Sequence, residues 1–163
     1  MSDPGTPDNP VAKLILASCV AQFADNRGDC NRFLKAALSE FLPLGYFDGL
    51  DADAIVKKLR DPAQGWLASR DIATAIASAK AGDIVVAGMT SQALRQQHGH
   101  VAIVIGCDGL PSGGVIVPLG YAGSLGNPAA ELDGGRLSGT FAAALVRSGG
   151  IDYYCKRPAR LPA

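Results

Sequence analysis

The sequence predicts an α+β fold in which several helices come first and an antiparallel β-sheet follows. Up to about Ala81, apolar residues recur at the three- and four-residue spacing of amphipathic helices. From Asp83 onward, β-branched apolar runs separated by glycine-containing turns replace that spacing. The chain has 163 residues, of which 48% are apolar, and this is enough for the core of one domain. We therefore expect a single domain, residues 1–163, with N-terminal helices packed on the sheet.

The first predicted helix follows a Pro-, Gly- and Asp-rich segment, residues 1–8, which we expect to be a loose tail. Asn9 is the expected N-cap, and Pro10 suits the first helical position because the N–H that proline lacks would be unpaired there. The apolar spacing continues to about Ala24. Residues 16–19 resemble a lipoprotein cleavage site, but an acidic start and a short apolar run precede them. We therefore expect no signal peptide.

A second helix is predicted to begin at Cys30 and to continue to about Phe41. Asp29 is its expected N-cap, because the carboxylate can accept N–H groups of the first turn. A third, short helix is expected after its cap Asp51. An alanine-rich fourth helix is expected between Ser69 and Ala81.

Two continuous apolar runs, Asp83–Ala87 and His100–Gly106, predict strands that are buried on both faces. Val115–Leu119 and Ile151–Lys156 predict two further strands. Residues 120–139 are rich in Gly, Ser, Asn and Pro, and they are expected to form one long loop. Loops of this length are often functional.

Composition excludes several classes of function. The chain has 15 Lys and Arg residues and 15 Asp and Glu residues, so its formal net charge is zero. The chain therefore lacks the excess of basic residues that would indicate binding to nucleic acid or to an anionic membrane surface. No apolar run approaches the length of a membrane span. We therefore expect no nucleic-acid partner and no membrane partner, and recognition by shape and specific groups.

The four cysteines form no CxxC pair, so neither a zinc ribbon nor a thioredoxin-type site is expected. If one cysteine is a nucleophile, three remain. Cys19 in the first helix and Cys155 in the last strand are the pair expected to form a disulfide. Three buried thiols are the alternative.

Cys30 is the candidate nucleophile. At a helix start, backbone N–H groups and the helix dipole favour an anion, which would lower the pKa of the thiol. A buried, inert cysteine would fit the same helix, but a distant histidine supplies the base that a cysteine nucleophile needs. His100 is the favoured base, because it begins an apolar strand and follows Gly99, which lets another backbone approach. His98, in a more exposed stretch, is the alternative base.

A third group usually orients such a histidine by accepting its other ring N–H. The candidates are Ser124, Asn127 and a backbone carbonyl within Gly120–Ala122, and the sequence does not decide among them. Asp83 and Asp108 are further candidates, although each fits better as a strand-edge or turn residue.

Zinc binding is a less favoured use of the same residues. His98 and His100 could bind the metal together with Cys30 or Asp29. Tight zinc sites usually show more closely clustered ligands. We therefore expect no metal and no cofactor.

The motifs together resemble a known group of enzymes. They are Asp-Cys at 29–30, Gly-Asp-Ile-Val-Val at 82–86 and Gly-His-Val-Ala-Ile-Val-Ile at 99–105. This set resembles the NlpC-type and CHAP peptidases, which are papain-like enzymes that cut peptidoglycan peptides. The resemblance is closer to the type VI secretion amidase effectors, the Tae family. It extends to Gly-Tyr-Ala-Gly-Ser at 120–124 and Asp-Tyr-Tyr at 152–154.

The resemblance implies a papain-like (NlpC-type) fold and amidase chemistry. Cys30 would attack a stem-peptide carbonyl, His100 would transfer the proton, and the Cys30 backbone N–H would help stabilise the oxyanion. The implied bond joins D-glutamate to diaminopimelate. Many relatives have Ser and Gly after the cysteine, whereas this chain has Asn31 and Arg32.

The same resemblance implies a biological setting. The protein would be secreted without a signal peptide, by dedicated secretion machinery, and would act in the periplasm of rival bacteria. Its substrate would be the peptidoglycan stem peptide. A cognate immunity protein would block the groove in kin cells.

Two other functions fit the sequence. One is a Cys-His deamidase or acyltransferase that acts on a protein or lipid. Lipid-acting relatives place the histidine before the cysteine, whereas here Cys30 precedes His100. The other is a non-catalytic binding module, which predicts an unreactive Cys30 thiol and no effect of Cys30→Ala.

Overall fold

Helices pack on both faces of an antiparallel sheet. The structure is a computed structural model, and it describes residues 6–163. The helices are α1 (Pro10–Asn26), α2 (Cys30–Leu38), α3 (Ala52–Arg60), α4 (Ile72–Lys80), α5 (Ser91–Leu94) and α6 (Ala143–Arg147).

Within residues 6–163, eight strands follow or interleave with the helices. They are β1 (Leu67–Ser69), β2 (Ile84–Met89), β3 (His100–Val104), β4 (Leu110–Ser112), β5 (Val115–Val117), β6 (Leu119–Ala122), β7 (Leu132–Arg136) and β8 (Asp152–Lys156). Six of them form one sheet in the order β1-β8-β2-β3-β6-β7, and every pairing in it is antiparallel. β4 and β5 pair separately as a hairpin. The α+β prediction is confirmed.

The predicted caps of the first three helices are confirmed. The side chains of Asn9, Asp29 and Asp51 each accept backbone N–H groups of the first turn of α1, α2 and α3. The predicted start of the fourth helix at Ser69 was wrong, because Asp71 caps α4 while Ser69 lies in β1 and pairs with β8. α2 also ends at Leu38, before the predicted end.

The strand β3 begins at His100 as predicted, and β2 begins at Ile84, one residue after the predicted start, and continues to Met89. All six residues of β2 are buried, as expected for a strand that is covered on both faces. The predicted strand Val115–Leu119 is divided at Pro118, a residue without a backbone N–H for a sheet ladder. Its first part pairs within the β4–β5 hairpin, and its last residue begins β6 in the main sheet.

The prediction of one long loop over residues 120–139 was wrong. It contains most of β6 and all of β7, which extend the sheet beyond β3. Gly120 explains part of the error, because a Cβ there would lie 2.4 Å from the Ile103 carbonyl oxygen. A residue type that usually indicates a loop is here required by the close approach of two strands.

Two apolar clusters lie against the opposite faces of the sheet. α1, α2 and α3 contribute Cys19, Leu34 and Ile55 to the first cluster. α4 and α6 contribute to the second, which also contains Cys155 of β8. The predicted Cys19–Cys155 disulfide is absent, and both thiols are free. The reason is that the sheet lies between them.

Part of the predicted N-terminal tail lies outside the described residues, since residues 1–5 are not among them. Within residues 6–8, Pro7 is buried, so this part of the predicted tail packs against the rest of the domain. Over residues 6–163, no helix combines the length and the apolar character needed to cross a bilayer.

Two leucines of opposite burial test the role of α2 in the core. Leu34 in α2 is 0% exposed, whereas Leu44 in the following loop is 91% exposed. We expect Leu34→Ala to lower the free energy of unfolding by about 2–5 kcal/mol, because it removes packed methyl groups and leaves a cavity. The matched control Leu44→Ala should change it by less than about 0.5 kcal/mol. Urea denaturation measures both, and equal effects would contradict the packing described above.

Candidate active site

A groove of about 710 Å³ contains both predicted reactive residues. It lies where the N-terminus of α2 meets the start of β3. Cys30 and His100 line it from these two elements, and Ser124, Asn127 and Thr140 line it from later segments. A larger cavity of about 820 Å³ lies between α4 and the β4–β5 hairpin, but neither cysteine nor histidine lines it. The groove with Cys30 is therefore the candidate active site.

Cys30 is held at the first position of α2 by the cap and by packing on β3. The Asp29 carboxylate accepts the N–H groups of Asn31 and Arg32 at 2.9 and 3.4 Å. The Cys30 thiol donates to Asn31 Oδ1 at 3.4 Å, and it also receives a hydrogen bond from the backbone N–H of Val101 in β3. Cys30 is only 7% exposed, so its sulfur lies at the floor of the groove.

The expectation of a lowered thiol pKa was wrong. Burial raises the pKa of Cys30 above its ordinary value of 9.0, and the nearby Asp29 carboxylate raises it further. Hydrogen bonds from the backbone, that of Val101 foremost, act in the opposite direction but do not offset burial. At neutral pH the resting Cys30 is therefore a thiol.

The loop before Cys30 is held by a second loop, residues 123–131, which we call the wall loop. A Cβ on Gly123 would lie 2.4 Å from the Asp29 carbonyl oxygen, so the two backbones are in direct contact. Ser124 donates its backbone N–H to the Arg27 carbonyl at 2.8 Å. Arg27 also approaches Glu131 at 4.0 Å. This contact between loops fixes the entry into α2, and no local sequence signal predicted it.

His100 occupies the first position of β3, paired with Met89 of β2. Its Nε2 lies 2.6 Å from Thr140 Oγ1, and its ring meets the Phe141 ring edge-on at 4.9 Å between centroids. Thr140 Oγ1 in turn donates to the Ala130 carbonyl at 2.6 Å. Burial lowers the pKa of His100 from 6.5 to about 4, so its imidazole is neutral at pH 7.

The resting structure does not join the two reactive groups by a hydrogen bond. Among the described residues, the Cys30 thiol is bonded to Asn31 and to the Val101 backbone, and His100 is bonded to Thr140. Catalytic hydrogen bonds are often loose before substrate binds. A rotation of the Cys30 side chain away from Asn31 would redirect the sulfur within the same groove.

His98, the alternative base, lies in the exposed turn before β3 and also lines the groove. Gly99 between the two histidines is buried, and a Cβ there would lie 2.4 Å from Asp53 Oδ1 and 2.9 Å from the Met89 carbonyl oxygen. The close approach that was expected at Gly99 is thus confirmed. It holds His100 rigidly, whereas His98 has no comparable enclosure.

The hydrogen-bond partner of the imidazole is Thr140, which sequence analysis missed. Ser124 and Asn127 line the groove, but His100 Nε2 lies within hydrogen-bond distance of Thr140 instead. Gly120 and Ala122 lie within β6 as part of the sheet.

Asp83 and Asp108, the other candidates for the orienting group, both lie outside the groove. Asp108 forms an ion pair with Lys80 at the larger cavity, away from the groove. Asp83 directly precedes β2, and its N–H donates to the Ser78 carbonyl at 3.1 Å. Neither residue lines the groove.

The zinc alternative has no support in the geometry. Within residues 6–163, no group of three or more His, Cys, Asp or Glu side chains could hold a metal ion. His98, His100, Cys30 and Asp29 share the groove without forming such a cluster.

The charged lining of the groove is acidic. Asp29, Asp51 and Asp53 line it, and no Lys or Arg is among the described lining residues. Asp53 accepts the hydroxyl and the backbone N–H of Ser91, and these hydrogen bonds hold the pKa of Asp53 below its usual range. The groove therefore offers negative charge to a ligand at neutral pH.

Fold and site together define an α+β protein with a cysteine and a histidine in one acidic groove. Comparison with known proteins adds no family: the chain matches no protein-family model and no curated sequence.

Alkylation of Cys30 tests its protonation state. Because burial raises the thiol pKa, we expect the folded protein to react slowly with iodoacetamide at pH 7, with a rate that rises as pH passes 9. The midpoint of the rate–pH profile should lie above that of the urea-unfolded protein. Peptide mass spectrometry distinguishes Cys30 from the other cysteines. A midpoint below that of the unfolded protein would show that the helix start dominates instead.

Gly123→Ala tests the contact between the wall loop and the nucleophile loop. The added methyl group meets backbone, which cannot yield as a flexible side chain would. We expect a loss of about 1–3 kcal/mol in the free energy of unfolding. Gly28→Ala is the matched control, since its Cβ would lie 3.9 Å from the Arg32 side chain and should cost less than about 1 kcal/mol. Denaturant titration of both variants decides, and equal losses would contradict the contact.

Proposed function

We propose that the protein is a cysteine peptidase with a papain-like fold that cleaves amide bonds in peptidoglycan stem peptides. The observation that carries this proposal is the convergence of Cys30 and His100 on one groove from elements 70 positions apart in the chain. A cysteine at a helix start and a histidine at a strand start are the two groups that nucleophilic acyl transfer requires. The resemblance of their flanking motifs to NlpC-type enzymes supplies the substrate class.

The two pKa directions define how the reaction begins. A thiol with a raised pKa and an imidazole with a pKa of about 4 are both neutral at pH 7. The neutral His100 therefore has a free ring-nitrogen lone pair that can accept a proton, and Cys30 still holds the proton to be transferred. Proton transfer would accompany attack of sulfur on the substrate carbonyl, once the thiol has turned from Asn31 toward the imidazole.

The backbone N–H of Cys30, at the start of α2, is the group proposed to bind the developing negative charge. The Asp29 carboxylate accepts the N–H groups of Asn31 and Arg32, and the N–H of Cys30 is not among these cap bonds. That N–H points with the helix dipole and could stabilise the oxyanion of the tetrahedral intermediate. The protonated His100 would then donate to the leaving amine, which leaves an acyl group on Cys30 for water to remove.

The acidic lining supports a substrate that carries an ammonium group. The bond proposed for cleavage joins D-glutamate to diaminopimelate, whose side chain bears such a group. Asp51 and Asp53 on the α3 side of the groove would attract it.

The biological setting of this proposal comes from the Tae-like motifs. The enzyme would be delivered to rival bacteria by a secretion system and would act on the periplasmic cell wall. A cognate immunity protein would block the groove in kin cells. Such an inhibitor would need to cover Cys30, which lies at the floor of the groove.

Digestion of purified Gram-negative peptidoglycan tests the activity. We expect the wild-type protein to release new muropeptides, whose masses in mass spectrometry identify the cleaved bond. Cys30→Ala should lower the rate by at least about a thousandfold, because it removes the nucleophile. His100→Ala should cause a comparable loss, because it removes the base.

The matched control for the base is His98→Ala, which should retain a rate near that of the wild type. Loss of activity in His98→Ala with retention in His100→Ala would exchange their roles. No cleavage by the folded wild-type protein would overturn the wall-peptidase proposal. It would direct the search to deamidase or acyltransferase substrates.

A further inference from the structure

We infer that Thr140 is a positioning residue that selects the tautomer of His100 and presents Nδ1, rather than Nε2, as the base. This inference rests on the proposed Cys-His function for its role in catalysis. The tautomer itself follows from geometry alone. Thr140 was not predicted from the sequence, because it follows the segment 120–127 that contains the expected orienting groups.

A count of protons gives the direction of each hydrogen bond. The Ala130 carbonyl can only accept, and it lies 2.6 Å from Thr140 Oγ1. The hydroxyl has a single proton, so it donates that proton to Ala130. The same oxygen lies 2.6 Å from His100 Nε2 and must accept there. Nε2 therefore carries the ring proton, and a neutral imidazole then has its lone pair on Nδ1.

The ring is fixed in orientation as well as in protonation. Phe141, the residue after Thr140, packs edge-on against the imidazole with centroids 4.9 Å apart. Met89 lies opposite His100 in the β2–β3 ladder. A ring flip would break the bond to Thr140 and would place a carbon against the hydroxyl. The hydroxyl thus holds Nδ1 toward the side of the ring that faces away from Thr140.

The far end of this hydrogen-bond chain is part of the wall loop. Ala130 ends the 3-10 turn Pro128–Ala130, and the next residue, Glu131, approaches Arg27 in the loop before Cys30. Gly123, at the other end of the wall loop, contacts the Asp29 backbone. The wall loop therefore contacts the surroundings of both reactive residues. Its Gly123 backbone contacts the residue before Cys30, and its Ala130 carbonyl accepts the hydrogen bond of Thr140, which contacts His100.

Nitrogen-15 NMR of the wild-type protein tests the tautomer without any substrate. The chain has only two histidines, so His98→Ala assigns the signals. At pH 7 we expect the His100 ring to show a protonated Nε2 and an unprotonated Nδ1. A protonated Nδ1 would overturn the inference directly, whether or not the protein cleaves peptidoglycan.

The matched pair Thr140→Val and Thr140→Ser tests the role of the hydroxyl. Valine keeps the shape and removes the acceptor, so Nε2–H should lose its fixed preference and the NMR pKa of His100 should fall. Serine restores the oxygen and should restore both properties. Thermal unfolding establishes that each variant is folded. An unchanged tautomer and pKa in folded Thr140→Val would contradict the inference.

Kinetics on peptidoglycan links the tautomer to catalysis. Thr140→Val should lower kcat by at least about tenfold, because a general base in the wrong tautomer transfers protons poorly, and KM should change little. Thr140→Ser should recover most of kcat. A tautomer effect in NMR without an effect on kcat would show that Thr140 orients the ring but that His100 is not the base.

Discussion

The contact between the N-terminal end of α2 and the start of β3 is the constraint on which the site depends. β2 and β3 are covered on both faces, so the strand that carries His100 has almost no freedom to shift. α2 packs on that strand through apolar residues such as Leu34, and its first residue is the candidate nucleophile. Packing therefore brings together two groups that lie 70 positions apart in the chain. The positions of Cys30 and His100 in the groove are therefore set by the packing of α2 on β3.

The same packing sets the protonation of both groups. Burial disfavours charge, so it raises the pKa of Cys30 and lowers the pKa of His100 to about 4. An ion pair of thiolate and imidazolium is thus absent from the resting site. The Asp29 carboxylate acts on the thiol in the same direction as burial, because its negative charge disfavours the thiolate.

Features encoded by neighbouring residues could be predicted from the sequence, and features created by distant ones could not. The caps Asn9, Asp29 and Asp51 are local, because each side chain bonds the backbone two or three positions later. The position of β2 and β3 followed from their continuous apolar runs. Thr140 bonds a histidine 40 positions earlier, and nothing in its own segment indicates this. The strand within residues 119–122 was not predicted, because glycine usually indicates a loop. Here Gly120 is required because its strand lies close to the Ile103 backbone. The direction in which the Cys30 pKa shifts depends on burial, and burial cannot be inferred from a position at a helix start.

The placement of Cys19 and Cys155 on opposite faces of the sheet has a consequence for the environments the protein can tolerate. Neither thiol forms a disulfide, and an oxidant could not link the two while the sheet lies between them. The core clusters that contain these thiols are held by apolar packing, which is indifferent to redox potential. For a protein that we propose to be made in one cell and to act in the periplasm of another, this pair gives no cross-link to form on arrival and none to reshuffle in transit.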